Sequence, residues 1–157
     1  HQSFLDGPVV TSGLSFSTLK DCYFYATEEH VKSKARQSFA RQCNVILMQR
    51  ANLKTSIQNM AQVLRAGKNL IIFPEGRRTN TGEMGQFKKT FAILATELNI
   101  PIVPVRISGA YEAWPRSKKL PSPKPVKVEY LKPIMPKAEQ EDYDALANRV
   151  RKAIVGE

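Results

Sequence analysis

LIIFPEGRRTNTGEMGQFKK, residues 70–89, opens with four apolar residues and then changes character at once. A short apolar run of this kind reads as a buried strand. Pro74 ends it, because proline has no N–H to give to a sheet ladder. Glu75, Gly76, Arg77, Arg78 and Thr79 follow without a gap. The strand therefore delivers a carboxylate, a glycine, two guanidiniums and a hydroxyl to its own exit. In α/β proteins ligands sit outside the carboxyl ends of strands. Gly76 lets the backbone approach an anion closely. Arginine offers a planar fork of donors that matches phosphate oxygens in pairs. A turn-rich loop (Asn80, Thr81, Gly82, Gly85) leads to two further cations, Lys88 and Lys89. A charge run is usually a solvated loop, but the order strand, proline, acid, glycine, arginine favours a site for a phosphorylated ligand.

Outward from this block the pattern is α/β. Residues 52–65 carry Ile57, Met60, Ala61 and Leu64 at helical spacing, and Gly67 suits the position just past the helix end. The order helix, glycine, strand is characteristic of α/β folds. Residues 90–98 form a second helix, with Phe91, Leu94, Ala95 and Leu98 on one face and Asn99 closing it. Residues 141–155 form a third, with Leu146, Val150 and Ile154 inward. Strands are expected at residues 22–26, 44–50, 100–109 and 126–131. The run 100–109 contains Pro101 and Pro104, which argue for an edge or an irregular start. A basic helix is expected from about residue 28 to residue 40, opened by Thr27, Glu28, Glu29 and His30. A weaker one is expected over residues 9–16, with Pro8 in its first turn and Gly13 interrupting it. Residues 111–125 hold Trp114 and four prolines among several cations, and read as a long loop: a lid, a linker or a membrane contact.

A chain of 157 residues suits one domain with one core. With 42% hydrophobic and 24% charged residues it is globular. No apolar run approaches the roughly 18 residues that span a bilayer, and no signal peptide is visible. Cys22 and Cys43 show neither a C-x-x-C nor a His at ligand spacing, so two reduced thiols are expected, without a metal site or disulfide. The net charge of +10 speaks of anionic partners. The sparse aromatics are not interleaved with the cations for stacking on bases, which places nucleic acid below anionic lipid.

His1 and Asp6 lie in the lead-in to the first helix. On a regular helix a spacing of five residues sets side chains about 140° apart, so the two meet only if the lead-in is a curled loop. From spacing alone, a surface histidine and an aspartate complementing the helix dipole are the simpler reading. Arg50 ends the apolar run 45–48, where it is either a ligand for an anion or a strand-end cation reaching into water.

Taken together, these blocks resemble the glycerophospholipid (lysophospholipid) acyltransferases, the family that includes 1-acylglycerol-3-phosphate acyltransferase. Phe73-Pro74-Glu75-Gly76-x-Arg78-Thr79 is similar to that family's F-P-E-G-x-R-S/T, and Phe87-Lys88-Lys89 to its continuation. His1-x-x-x-x-Asp6 is similar to its H-x-x-x-x-D, lying upstream as in the family. Arg50 falls where the family's second motif has an arginine after a strand. Ile100 to Val105 resembles the fourth, hydrophobic residues around a proline, here Pro104, on the acyl-chain side.

The resemblance implies a layered α/β sandwich, with a central mixed, mainly parallel sheet flanked by helices. It implies a single acyltransferase domain over residues 1–157, truncated at its N-terminus. The implied reaction moves a fatty acyl group from acyl-CoA or acyl carrier protein to a lysophospholipid, most simply 1-acylglycerol 3-phosphate. His1 would be the base, and Asp6 would fix its tautomer. Arg50, Glu75, Gly76 and Arg78 would hold the acceptor's phosphate, with Thr79, Lys88, Lys89 and Pro104 in secondary roles. Neither metal nor cofactor is implied. The implied setting is the cytoplasmic face of a membrane, with any anchor outside this chain. The alternatives are a module using another headgroup, such as lysophosphatidylethanolamine, and a non-catalytic basic lipid-binding domain.

Overall fold

The computed structural model describes residues 3, 5–27, 44–48, 52–77, 79, 81–115, 117–118, 120–137 and 139–157. The chain forms two compact units, Ser15–Phe73 and His1–Leu14 with Pro74–Glu157. The expected basic helix over residues 28–40 and the strand end at Arg50 lie outside the described residues.

In the Ser15–Phe73 unit, α2 (Phe16–Lys20) leads into β1 (Cys22–Thr27), followed by β2 (Val45–Met48), α3 (Leu53–Arg65) and β3 (Asn69–Ile71). The strands form one parallel ladder in the order β2-β1-β3, with Phe24 opposite both Val45 and Ile71. α3 is opened by Asn52, whose side-chain oxygen accepts the Thr55 N–H at 3.2 Å. It packs on β2 and β3 with Met60 fully buried. Gly67 takes a positive φ of 73° just past its end, as the pattern required. Lys68 pairs with Asp21 at 2.6 Å, and the Asn69 N–H donates to the Asp21 carbonyl at 2.7 Å. Both contacts tie the start of β3 to the start of β1. β3 is shorter than expected: Ile72 and Phe73 leave the ladder before Pro74.

The other unit holds α1 (Asp6–Ser12), α4 (Thr90–Leu98), β4 (Val105–Ser108), α5 (Ala110–Ala113), β5 (Lys127–Tyr130) and α6 (Tyr143–Val155). β4 and β5 pair antiparallel, Val105 opposite Tyr130. The apolar stripes of α4 and α6 face each other, burying Phe91, Leu94, Ala95, Leu146, Ala147 and Val150. α6 is capped by Asp142, whose carboxylate accepts the Ala145 N–H at 2.7 Å. At its other end Arg106 of β4 donates to the carbonyls of Ala153 and Ile154, which α-helical bonding leaves open. Arg149 of α6 binds Glu141 and the Met135 carbonyl, which fixes the chain between β5 and α6.

The run 100–109 is not one strand. Ile102 makes an isolated antiparallel bridge to Ile134, and regular pairing starts only at Val105, after Pro104. The two prolines interrupt donation to the ladder at the start of the run. The first helix also differs. It stops at Ser12, and the Ser15 hydroxyl accepts the Thr18 N–H at 3.2 Å to open the separate α2. A side-chain cap has replaced the continuous helix that an apolar pattern interrupted by Gly13 had suggested.

Candidate active site

Asp6 opens α1 and is 1% exposed. Its Oδ2 accepts the Ser3 N–H at 3.0 Å. The Ser3 hydroxyl in turn accepts the Leu5 N–H at 3.2 Å and donates to the Trp114 carbonyl at 2.9 Å. The Asp6 carboxylate thus reaches back three residues to a backbone N–H, while the Ser3 hydroxyl holds the next turn and a distant carbonyl. They curl the lead-in, which is the condition under which the ends of the H-x-x-x-x-D spacing can approach. Ser3 is 0% exposed, so the turn is built into the interior. The sequence assigns Ser3 no role, and its partner across the chain, a backbone carbonyl, leaves no signal in residue type. His1 itself lies outside the described residues.

Trp114 follows α5, a helix of four residues in what reads from sequence as loop. Gly109 starts it with φ 81°, and a Cβ there would lie 2.3 Å from the Pro125 carbonyl oxygen. No other residue fits without moving that backbone. The small Ala110 and Ala113 are fully buried beneath it. α5 also receives the loop that follows Thr79: Gly82 lies against the Tyr111 ring, where a Cβ would come within 3.0 Å of it. The short helix therefore meets both the Ser3 turn and the phosphate-block loop.

The block itself is a closed turn. Gly76 has φ 70°. The Lys88 N–H donates to the Pro74 carbonyl at 2.8 Å, and the Lys88 side chain crosses Gly76 so closely that a Cβ would lie 2.6 Å from Nζ. Glu75 Oε2 accepts the Gly85 N–H at 2.9 Å, bridging the base of the loop. The Thr79 hydroxyl accepts the Thr81 N–H at 3.1 Å, a turn-forming role. Lys88 and Lys89 diverge. Lys88 lies over the glycine, whereas Lys89 pairs with Asp144 of α6 at 2.8 Å. That hydrogen bond and charge hold the Lys89 ammonium pKa above its ordinary value. Phe87 packs edge-on to Phe91, anchoring the start of α4. Pro104 is buried, and its carbonyl accepts the Leu131 N–H at 2.9 Å. Arg50 and Arg78 lie outside the described residues. Among the described residues no cluster of His, Cys, Asp or Glu could hold a metal ion.

The structure thus gathers Asp6 with Ser3, and Glu75 and Gly76 with Lys88, and sends Lys89 elsewhere. The model of the family described as Acyltransferase matches residues 1–108, which spans both arrangements. The chain belongs to the Acyltransferase family.

Relatives within this acyltransferase family agree. The chain is 38% identical over 89 residues to a 1-acyl-sn-glycerol-3-phosphate acyltransferase of Cocos nucifera, covering 54% of this chain and 29% of that one. It is 26% identical to a probable 1-acyl-sn-glycerol-3-phosphate acyltransferase of Mycoplasma genitalium, over 98% of this chain and 62% of the relative. The crystal structure of PlsC, the 1-acyl-sn-glycerophosphate acyltransferase of Thermotoga maritima, matches with a TM-score of 0.81 and 25% identity. That match covers 98% of this chain and 60% of the other. The chain spans about a third of the length of the plant relatives it matches. The α/β acyltransferase fold expected from the sequence is the fold observed.

Proposed function

We propose that this acyltransferase-family chain is a single catalytic domain that moves a fatty acyl group from an acyl thioester to the free hydroxyl of 1-acylglycerol 3-phosphate. The observation that carries the reading is the buried Asp6 carboxylate, held in a curled S-x-x-D turn inside the family's H-x-x-x-x-D motif. A carboxylate so fixed can orient an imidazole and stabilise its protonated form. His1 takes the proton from the acceptor hydroxyl as that oxygen attacks the thioester carbonyl. The tetrahedral intermediate collapses, the C–S bond breaks, and the thiolate leaves with the proton returned by His1. No serine nucleophile and no covalent acyl-enzyme are required.

The acceptor phosphate is assigned to the turn at Gly76, over which the Lys88 side chain lays its cation. Arg78 and Arg50 are its proposed guanidinium partners. Glu75 shapes the loop through Gly85, and contact with the acceptor's polar groups is proposed for it. Pro104 is assigned to the acyl-chain side, and Thr79 and Lys89 to supporting the loop and α4. The donor is proposed to be acyl-CoA or acyl carrier protein, and the setting a membrane surface on its cytoplasmic side. No helix among the described residues is long and apolar enough to cross a membrane.

The test is thioester release with either donor, against a panel of lysophospholipids, with His1→Ala alongside. Release that requires 1-acylglycerol 3-phosphate, and that falls about 10²–10⁴-fold in the variant, is expected. Release with lysophosphatidylethanolamine alone would replace the acceptor. Release independent of acceptor and of His1, from folded protein that binds lipid, would overturn the reading.

A further inference from the structure

Trp114 and Ser122 bound a loop of unusual sequence. The chain enters from α5, anchored by its buried alanines, and returns where the Ser122 N–H donates to the Ala113 carbonyl at 2.7 Å. Inside the loop the Trp114 indole N–H donates to the Lys118 carbonyl at 3.0 Å, and the Lys118 N–H to the Pro115 carbonyl at 3.1 Å. The Lys118 ammonium reaches the Ser122 hydroxyl at 3.3 Å. A short loop with nearby ends and its own internal bonds is a built element.

At its tip Leu120 is 77% exposed, the most exposed large hydrophobic side chain among the described residues. One exposed leucine alone needs no explanation. Its surroundings do: Arg116, Lys118, Lys119 and Lys124 flank it in sequence, and no acidic residue occurs between Glu112 and Glu129. An apolar tip, an amphipathic indole and a cluster of cations of one sign match the boundary between lipid headgroups and acyl chains. A nucleic acid would use the cations but not the leucine.

We propose that this loop is the foot by which the domain seats on an anionic bilayer, with Leu120 at the acyl boundary and Lys118 and Lys124 at phosphate level. The proposal deepens the membrane part of the reading above and rests on it in one respect. Trp114 accepts the hydrogen bond of Ser3, so the foot is bonded to the turn that carries Asp6. Docking brings the proposed catalytic motif to the surface where a lysophospholipid resides.

Trp114 is the chain's one tryptophan, so its emission reports on this loop alone. Vesicles of about one third phosphatidylglycerol in phosphatidylcholine should shift that emission to the blue, and lipids brominated near the headgroup should quench it. Pure phosphatidylcholine should do neither, and salt should reverse the effect. Leu120→Ser should weaken partition about fivefold, and Lys118→Glu with Lys124→Glu at least twentyfold. Co-sedimentation with vesicles while Trp114 emission stays unchanged would overturn the proposal, as would undiminished partition of Leu120→Ser. So would a Trp114 shift with an acidic protein but not with vesicles. Transfer to a short-chain, monomeric lysophosphatidate should be equal in Leu120→Ser and wild type, and about fivefold lower in the variant on vesicles. If neither transfers to the monomeric acceptor, the enzyme reading fails while the emission experiment still decides the docking.

Discussion

Ser3→Ala tests the Ser3–Asp6 turn most directly. The hydroxyl makes two bonds, accepting from Leu5 and donating to Trp114, and Ser3 is 0% exposed. Alanine leaves the Leu5 N–H and the Trp114 carbonyl without that partner, both part-buried and beside a fully buried side chain. At about 1–3 kcal/mol for each buried group left unmatched, with partial relaxation, the cost is about 2–4 kcal/mol. For a chain of this size that is roughly 5–15 °C in Tm. The Ser3 N–H still donates to Asp6, so the carboxylate is loosened and not released. A misplaced orienting group should lower kcat by about 10–100-fold with little change in KM. Ser12→Ala is the control: its hydroxyl also bonds a carbonyl, that of Val9 at 2.8 Å, but on the surface, and should cost under about 0.5 kcal/mol. The assays are urea unfolding and steady-state acyl transfer, run on both variants. A Ser3→Ala protein within about 1 kcal/mol of wild type, with unchanged kcat, would refute the idea that this turn organises the motif.

Lys88→Ala should raise the KM for the phosphorylated acceptor about tenfold, because its ammonium lies over Gly76, whereas Lys89→Ala should leave KM unchanged; steady-state kinetics separates them. Breaking the exposed Lys89–Asp144 pair with Asp144→Asn should leave the urea unfolding midpoint nearly unchanged, because solvent screens it. Gly109→Ala, with a positive φ and a 2.3 Å approach to the Pro125 oxygen, should cost at least about 3 kcal/mol by the same measurement. Burial raises the Cys22 thiol's pKa, so at pH 8 its peptide should alkylate far more slowly in native protein than in urea, as read by mass spectrometry. The Asp21 hydrogen bond raises the Lys68 ammonium's pKa above its ordinary 10.5. Its stabilisation is therefore complete below that value and lost as pH rises through the higher folded one. Asp21→Asn should flatten this alkaline loss in urea unfolding followed against pH.

The long periodic helices α3, α4 and α6 were legible because each buries a stripe that repeats over several turns. β1 and β2 were legible as apolar runs bounded by polar residues. The four-residue α5 was not, since one turn has no period and its cause is the tight fit of Gly109 against a distant carbonyl. The split of residues 100–109 was half legible: the prolines announced an irregular start, but not the Ile102–Ile134 bridge. At the site, residue types pointed to Glu75 and Gly76, and the family resemblance to Asp6. They could not reveal that Ser3 uses the backbone carbonyl of Trp114, because every residue has one. Nor could adjacent lysines be told apart before the Asp144 partner of Lys89 was known. His1, Arg50 and Arg78, which the resemblance singles out, lie outside the described residues.

The parallel order β2-β1-β3 also has a consequence during synthesis. The central strand, CYFYAT, is made first, and both its edges wait for partners that come later in the chain. A hairpin would satisfy one edge almost immediately, whereas parallel partners need crossovers. At about 5–20 residues per second, roughly two to eight seconds separate the end of β1 from the arrival of β3. Until β2 is made, about half of that interval, an aromatic strand stands with both rows of amides open, and one row stays open until β3 arrives, a template for pairing with neighbouring nascent chains. Slower elongation between residues 28 and 69 should therefore lower soluble yield, and a chaperone that covers extended apolar segments should restore it.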